Sequence, residues 1–256
     1  MTTVMGKGAA LVTGASQRIG RAVALDLASH GHAVALHCRE SGLAGAEETA
    51  ALIREKGGIA AIVQGDLADA AAVSRLIPDA ATALARPIDI LINNASLFEP
   101  DDIGTLTTES WQAHLSVNTL APLLLTQALA AALPSGMKGN VINLIDQRVW
   151  RLNPTFMSYT ASKAALWTLT QTTAQALAPH IRVNAIGPGP VLPSIHQTRE
   201  TFDHEAAKVP LGHGPTLDEI CASVRFLLET PSMTGQMLAL DGGQHLAWQT
   251  PDIVES

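Results

Sequence analysis

The stretch Leu11-Val-Thr-Gly-Ala-Ser-Gln-Arg-Ile-Gly20 runs from a short apolar segment through a glycine-bearing turn into a helical pattern. Residues 9–13 read as a buried strand. Residues 18–29 place Ile19, Ala22, Val23, Leu25 and Leu27 on one broad helical face. Gly14 and Gly20 bracket the turn, and Arg18 stands where a middle glycine would be expected. In a doubly wound α/β fold this first turn receives a dinucleotide: glycine lets the backbone approach closely, and the free N–H groups of the helix meet the pyrophosphate. A strand-to-helix turn with two glycines is also common as plain structure. Its place after the first strand raises it above that.

Outward from this turn, apolar runs alternate with longer Ala-rich helical stretches. The runs are residues 9–13, 33–38, 59–64, 88–92, 141–145, 181–186 and 237–240. The helical stretches include 18–29, 44–56, 70–84, 110–133 and 158–177. Repeated βαβ units follow, predicting a single Rossmann-type α/β domain over residues 1–256: a doubly wound parallel sheet of seven strands with helices on both faces. No linker, repeat or low-complexity tract marks a second domain. Residues 187–215 hold five prolines around a short polar helical patch and form the candidate substrate lid.

Composition sets the limits. The chain is 47% hydrophobic but only 4% aromatic, so its core must be built from Ala, Val, Leu and Ile, which suits helices on a parallel sheet. A formal charge of -7 without a basic run argues against nucleic acid. The apolar stretch 120–133 contains Thr126 and Gln127, is too short to cross a bilayer, and reads as a buried helix, so no membrane partner is expected. No cleavage-site pattern precedes the first strand. Cys38 and Cys221 lie far apart without metal-ligand spacing. A cytoplasmic protein without a metal site is the expectation, with Cys38 a packed strand residue and His114, His180, His204 and His213 structural or exposed.

Two further places carry chemistry. The second strand closes on His37, Cys38 and Arg39, where an NAD-selecting enzyme would present a carboxylate to the ribose 2′-OH. Arg39 offers a 2′-phosphate a guanidinium fork, and Arg18 adds charge nearby, favouring NADP(H). If Glu40 rather than Arg39 faces the ribose, the preference reverses. Tyr159 and Lys163 lie four apart and project from one helical face. A neighbouring ammonium favours an ionised phenol, so the pair is expected to yield a proton relay near neutral pH.

With these pieces in view, the chain resembles the short-chain dehydrogenase/reductase family over nearly its whole length. The matching residues are Thr13-Gly14 through Gly20, Asp66, Asn93-Asn94-Ala95, Asn118, Tyr159-x-x-x-Lys163, Pro188-Gly189 and Asp241-Gly242-Gly243. The resemblance implies a cofactor path along Gly14, Arg18, Ile19, Gly20 and Arg39, with Asp66 and Leu67 at the adenine and Asn94 and Ala95 lining the channel. It places Pro188 and Gly189 at the nicotinamide, Tyr159 and Lys163 at its ribose, and Asn118 behind a water next to Lys163. It also implies a homo-oligomer, commonly a tetramer.

Two departures sharpen the resemblance. The catalytic Ser that most members carry is replaced by Asp146, and the middle glycine by Arg18. With Ser96 and Phe98, these resemble the pteridine reductase branch, which reduces pterins or folates with NADPH. That branch implies a pterin between the nicotinamide and Phe98, with Arg18, Ser96, Asp146 and Tyr159 around it and Asp146, Tyr159, Lys163 and Asn118 as the catalytic set. Asp146 is expected to have a raised pKa unless Lys163 cancels the shift. Reduction of a 3-oxoacyl or small-ketone carbonyl is the alternative, and a catalytically silent dinucleotide-binding protein is the alternative of another class.

Overall fold

A computed structural model describes residues 7–194 and 196–248. Residues 1–6, 195 and 249–256 lie outside it; they include most of the leading segment read above and one lid position. The elements are β1 (Lys7–Val12), α1 (Arg18–Ser29), β2 (His32–Cys38), α2 (Leu43–Glu55), β3 (Ala60–Gln64), α3 (Ala70–Leu84), β4 (Ile90–Asn93) and α4 (Thr108–Leu115). They continue with α5 (Ala121–Ala132), β5 (Gly139–Leu144), α6 (Met157–Leu177), β6 (Ile181–Pro188), α7 (Arg199–Ala206), α8 (Leu217–Glu229) and β7 (Met237–Leu240).

The seven strands form one sheet in the order β3-β2-β1-β4-β5-β6-β7, and every pair is parallel. The chain lays strands outward from β1, returns to place β4 on its other side, and so opens a crevice at the carboxyl ends of β1 and β4. Within β1, Ala9 and Leu11 face one layer and Ala10 and Val12 the other, so an unbroken apolar run is what the position demands. Leu76 and Ile77 of α3 and Leu125 and Leu129 of α5 seal the first face. Val23 and Leu27 of α1, Ile53 of α2 and Val224 and Leu227 of α8 seal the second. The largest fully buried side chains are all Leu or Ile, each contributing about 1.5–3 kcal/mol of transfer free energy.

Two differences from the sequence expectation stand out. The helical stretch expected over 110–133 is present as α4, a π-turn at Ser116–Leu120 and α5 joined into one continuous helix, Thr108–Ala132, so the apolar run 120–133 is part of a longer helix. By length and composition that helix is able to cross a membrane, and a third of its most apolar window is buried. Within it, Thr126 bonds back to the carbonyl of Pro122. Also, β6 runs on to Pro188, since β7 continues to pair with it through Leu240. The lid region 187–215 has α7 at its centre, capped by Thr198 and anchored by buried Phe202.

Candidate active site

A cavity of about 950 Å³ opens along the carboxyl ends of the central strands. Its dinucleotide end is built on the first turn. Gly14 has φ +64°, and a Cβ there would lie 3.1 Å from the Cα of Ala95. A Cβ on Gly20 would collide with the carbonyl oxygen of Gly14. Thr13 Oγ1 accepts the backbone N–H groups of Asn94 and Ala95 at 2.9 and 3.0 Å. Asn94 Nδ2 donates to the carbonyl of Thr13 at 2.8 Å, so β4 holds the turn in place. The N-cap of α1, Gln17, makes no side-chain capping bond, and the first turn carries no acid. The amides there are left to an anion, and the residues present therefore fit a pyrophosphate.

Ile19, Asp66, Leu67, Ala95, Pro188 and Gly189 all line the cavity. Arg39 does too, whereas Glu40 opens a turn over Glu40–Gly42 and is not on the wall; Ser41 and Gly42 are. His37 was not anticipated as a site residue. Its Nδ1 faces the N–H of Gly14 at 3.3 Å and its Nε2 the carbonyl of Gly65 at 3.1 Å. Burial pushes its pKa down, so the neutral ring clamps the turn to the end of β3. The available signal was its position at the end of β2.

Arg18 departs from expectation. Its backbone has φ +56°, the left-handed region a glycine would occupy without strain. Its guanidinium donates to the carbonyls of Pro193 at 2.6 Å and Leu192 at 3.2 Å rather than standing free for a 2′-phosphate. It latches the lid onto the first turn. His196 makes a second latch, with Nε2 3.1 Å from the carbonyl of Phe98 and 3.5 Å from Glu99.

At the chemical end, the hydroxyl of Tyr159 donates to Asp146 Oδ2 at 2.9 Å. Asp146 Oδ1 accepts the N–H of Arg148 at 2.8 Å, so the carboxyl both caps a turn and holds the phenol. Lys163 is 2% exposed and donates to the carbonyl of Leu144 at 2.7 Å. Burial raises Asp146 above the ordinary carboxyl range, against the pull of the Arg148 N–H, the Tyr159 hydroxyl and the Arg148 and Lys163 charges. Burial also lowers Lys163 to about 8, opposed by Asp146.

The phenol reverses the expectation. Burial, followed by the charge of Asp146 and its hydrogen bond, drives Tyr159 well above its ordinary value. The ammonium is spent on Leu144 and sits 5.8 Å from the ring centroid, so it does not bring the hydroxyl down. Tyr159 is the chain's single tyrosine, so ultraviolet difference absorbance reads its ionisation directly. No tyrosinate signal is expected when the folded protein is titrated past pH of about 10; a signal developing near neutrality would refute this assignment.

Asn118 lies in the π-turn and is fully buried. Its Oδ1 accepts the N–H of Leu97 at 2.8 Å and faces Ser96 Oγ at 3.2 Å, and its Nδ2 donates to Leu97 O and Ser162 Oγ. The side chain therefore clamps the loop carrying Ser96 and Phe98 rather than reaching Lys163. Phe98 is less free than expected: it stacks on Phe156 at 4.3 Å with planes 2° apart and meets Tyr159 edge-on at 4.7 Å. The Arg148 guanidinium stands over Phe156 at 5.3 Å. Phe156 and Arg148 were missed because their partner lies on another loop; the nearness of Phe156 to Tyr159 in sequence was the available hint. Among the described residues no cluster could hold a metal ion.

The family model described as short chain dehydrogenase matches residues 8–203. The structure is similar to that of FolM Alternative dihydrofolate reductase 1 from Brucella canis complexed with NADP. The TM-score is 0.94 and the identity 50%, covering 97% of this chain and 98% of that one. Among characterised sequences, the chain is 33% identical to a 3-oxoacyl-[acyl-carrier-protein] reductase of Synechocystis, over 91% of this chain and 95% of the relative. It is 34% identical to a (3R)-3-hydroxyacyl-CoA dehydrogenase of Rattus norvegicus, over the same shares of each.

Proposed function

Because the chain belongs to the short-chain dehydrogenase family, we propose that this oxidoreductase reduces the C=N bond of a pterin ring with NADPH. The observation that carries this reading is the half-buried Asp146 carboxyl bonded to the Tyr159 hydroxyl, in the place where the resemblance expects a serine. An ionised carboxylate there would repel the oxyanion of a reacting ketone. A carboxyl whose pKa burial raises can instead, in its acid form, serve a nitrogen that must receive a proton. The Brucella structure at 50% identity supports the same choice, while the 3-oxoacyl relatives at lower identity support the carbonyl alternative.

Bound NADPH supplies the hydride. Gly14, Gly20 and the open amides of α1 would hold its pyrophosphate, Arg39 its 2′-phosphate, and Asp66 and Leu67 its adenine. Asn94, Ala95, Pro188 and Gly189 shape the nicotinamide channel, with Tyr159 and Lys163 at the ribose. The chain's own work is proton delivery. The Tyr159 hydroxyl, which donates to Asp146 in the resting site, turns its hydrogen to the substrate nitrogen, and its O–H bond breaks as a substrate N–H bond forms. A phenol with so high a pKa cannot remain ionised, so the carboxyl proton of Asp146 restores it in the same movement, and solvent later reprotonates Asp146. Lys163, held by Leu144, orients the ribose and places positive charge beside the pair.

Two results test the binding half of this reading. Replacing Arg39 by Ala is expected to weaken NADPH about ten- to a hundredfold, as loss of charge-assisted hydrogen bonds does, and to leave NADH nearly unaffected. Fluorescence titration measures both; equal weakening of the two cofactors would show that Arg39 does not read the phosphate. Phe98 offers the pterin the ring face that Phe156 leaves open. Phe98→Ala should raise the KM for dihydrobiopterin about tenfold with little change in the KM for NADPH. An unchanged KM for dihydrobiopterin would remove the stacking role and weigh against a flat aromatic substrate.

A further inference from the structure

His37, near the end of β2, is 1% exposed and borders the dinucleotide end of the cavity. Both of its ring nitrogens are committed. Nδ1 accepts the N–H of Gly14 at 3.3 Å, and Nε2 lies 3.1 Å from the carbonyl oxygen of Gly65, which can only accept. The proton of the neutral ring therefore sits on Nε2, and Nδ1 must stay bare. A charged ring would set an N–H on Nδ1 against the N–H of Gly14, two buried donors facing one another.

The two groups so joined stand on the two loops that frame the dinucleotide. Gly14 belongs to the turn that fits a pyrophosphate, and Gly65 precedes Asp66 and Leu67 on the cavity wall after β3. Among the described residues, no other side chain hydrogen-bonds to both loops. On the opposite side Thr13 and Asn94 fasten the same turn to β4 with groups that do not titrate. His37 is the titratable member of this clamp. Burial most strongly opposes its charge; the Gly65 carbonyl and Asp66 favour it, and Arg39 opposes it. The adjoining Cys38 thiol is pushed up by burial and stays uncharged. From the first turn, Arg18 directs its guanidinium to the carbonyls of Leu192 and Pro193.

We propose that His37 is a positioning residue for the dinucleotide, and that protonation of its Nδ1 breaks the clamp between the first turn and Gly65 and so releases the cofactor in acid. The neutral ring holds the site, so affinity is complete at alkaline pH and falls as pH drops through a value below that of an ordinary imidazole. The proposal concerns the cofactor alone and stands whichever substrate receives the hydride.

Calorimetric titration with NADP from about pH 8 to about pH 5 compares the unmodified protein with His37→Asn and His37→Leu, with circular dichroism confirming the fold at each pH. The Asn oxygen takes the place of Nδ1, accepts the Gly14 N–H and has no proton to gain. In the unmodified protein the dissociation constant should rise about tenfold per pH unit once the free ring charges. The Asn variant should match it within about threefold at pH of about 8 and lack that rise, whereas the Leu variant should bind about tenfold more weakly at every pH. The 2′-phosphate of NADP titrates in the same range but does so alike with all three proteins. Parallel pH profiles for the unmodified protein and the Asn variant would overturn the proposal, as would full affinity in the Leu variant.

Imidazole nitrogen NMR of the unmodified protein supplies a reading that needs no substitution. The other buried ring, His114, carries its proton on Nδ1, which faces the Ser110 carbonyl at 2.8 Å, and accepts the Glu99 N–H on Nε2 at 3.2 Å. Tautomer therefore tells the two apart. Saturating NADP should move the charging of the buried ring protonated on Nε2 to lower pH, because proton and cofactor affect each other reciprocally. A ring that charges at the same pH with and without NADP would contradict the release.

Discussion

Asp146→Asn should lower turnover of a dihydropterin by about a hundredfold or more, the usual scale for losing a positioned acid, while NADPH affinity stays nearly intact. The substitution conserves shape: the Asn oxygen can still accept the Arg148 N–H, while an amide N–H2 takes the place of the oxygen that faces Tyr159. What it removes is the proton. The effect has a pH signature. Burial raises the pKa of Asp146, so the required acid form is present at low pH and is lost as pH rises through that elevated value. The unmodified enzyme should slow as pH rises through this region, and the Asn variant should lose that limb. A second decline is expected above about pH 8, where Lys163 gives up its charge, and it should persist in the variant. Single-turnover rates from acid to alkaline pH separate the two limbs. An Asn variant with near-normal turnover would remove Asp146 from proton delivery.

Tyr159→Phe carries the second large effect: turnover falls by about two or more powers of ten, because among the described residues no other hydroxyl is bonded to Asp146. NADPH binding should change little, since Lys163 and the first turn remain. The variant also strips Asp146 Oδ2 of its hydrogen-bond donor, which pushes the carboxyl pKa further up. Any residual activity should therefore extend to higher pH than in the unmodified enzyme. Turnover close to normal would exclude Tyr159 from the mechanism. Lys163→Ala, by contrast, should damage cofactor binding and rate together, because one ammonium serves both.

The sheet was legible because a central strand of a parallel sheet is buried on both faces and must be an apolar run; β4 shows this directly. Helix α3 was equally plain, since Asp69 caps it by accepting the N–H of Ala71. Motif order brought Asp146, Tyr159 and Lys163 together correctly as neighbours. What periodicity could not show was direction. Arg18 sits in the turn as expected, but its side chain swings to the lid, whose carbonyls come from a loop more than 170 residues away. The stack of Phe98 on Phe156 likewise joins two loops with no local pattern between them. The error over Tyr159 has the same origin: a spacing of four reveals the ammonium, but only packing reveals that a carboxyl lies closer to the hydroxyl. Helix Thr108–Ala132 was legible as the stretch 110–133, but its length against a bilayer was underestimated because only the apolar run 120–133 was weighed.

The most direct measurement compares kcat/KM of the unmodified enzyme, with NADPH in excess, for dihydrobiopterin and for an acetoacetyl thioester under identical conditions. A carboxyl in place of the serine beside Tyr159 predicts that the pterin value is higher by about tenfold or more, the scale on which a mismatched polar group discriminates. A thioester value exceeding the pterin value would contradict pterin reduction and assign the chain to the carbonyl reductases.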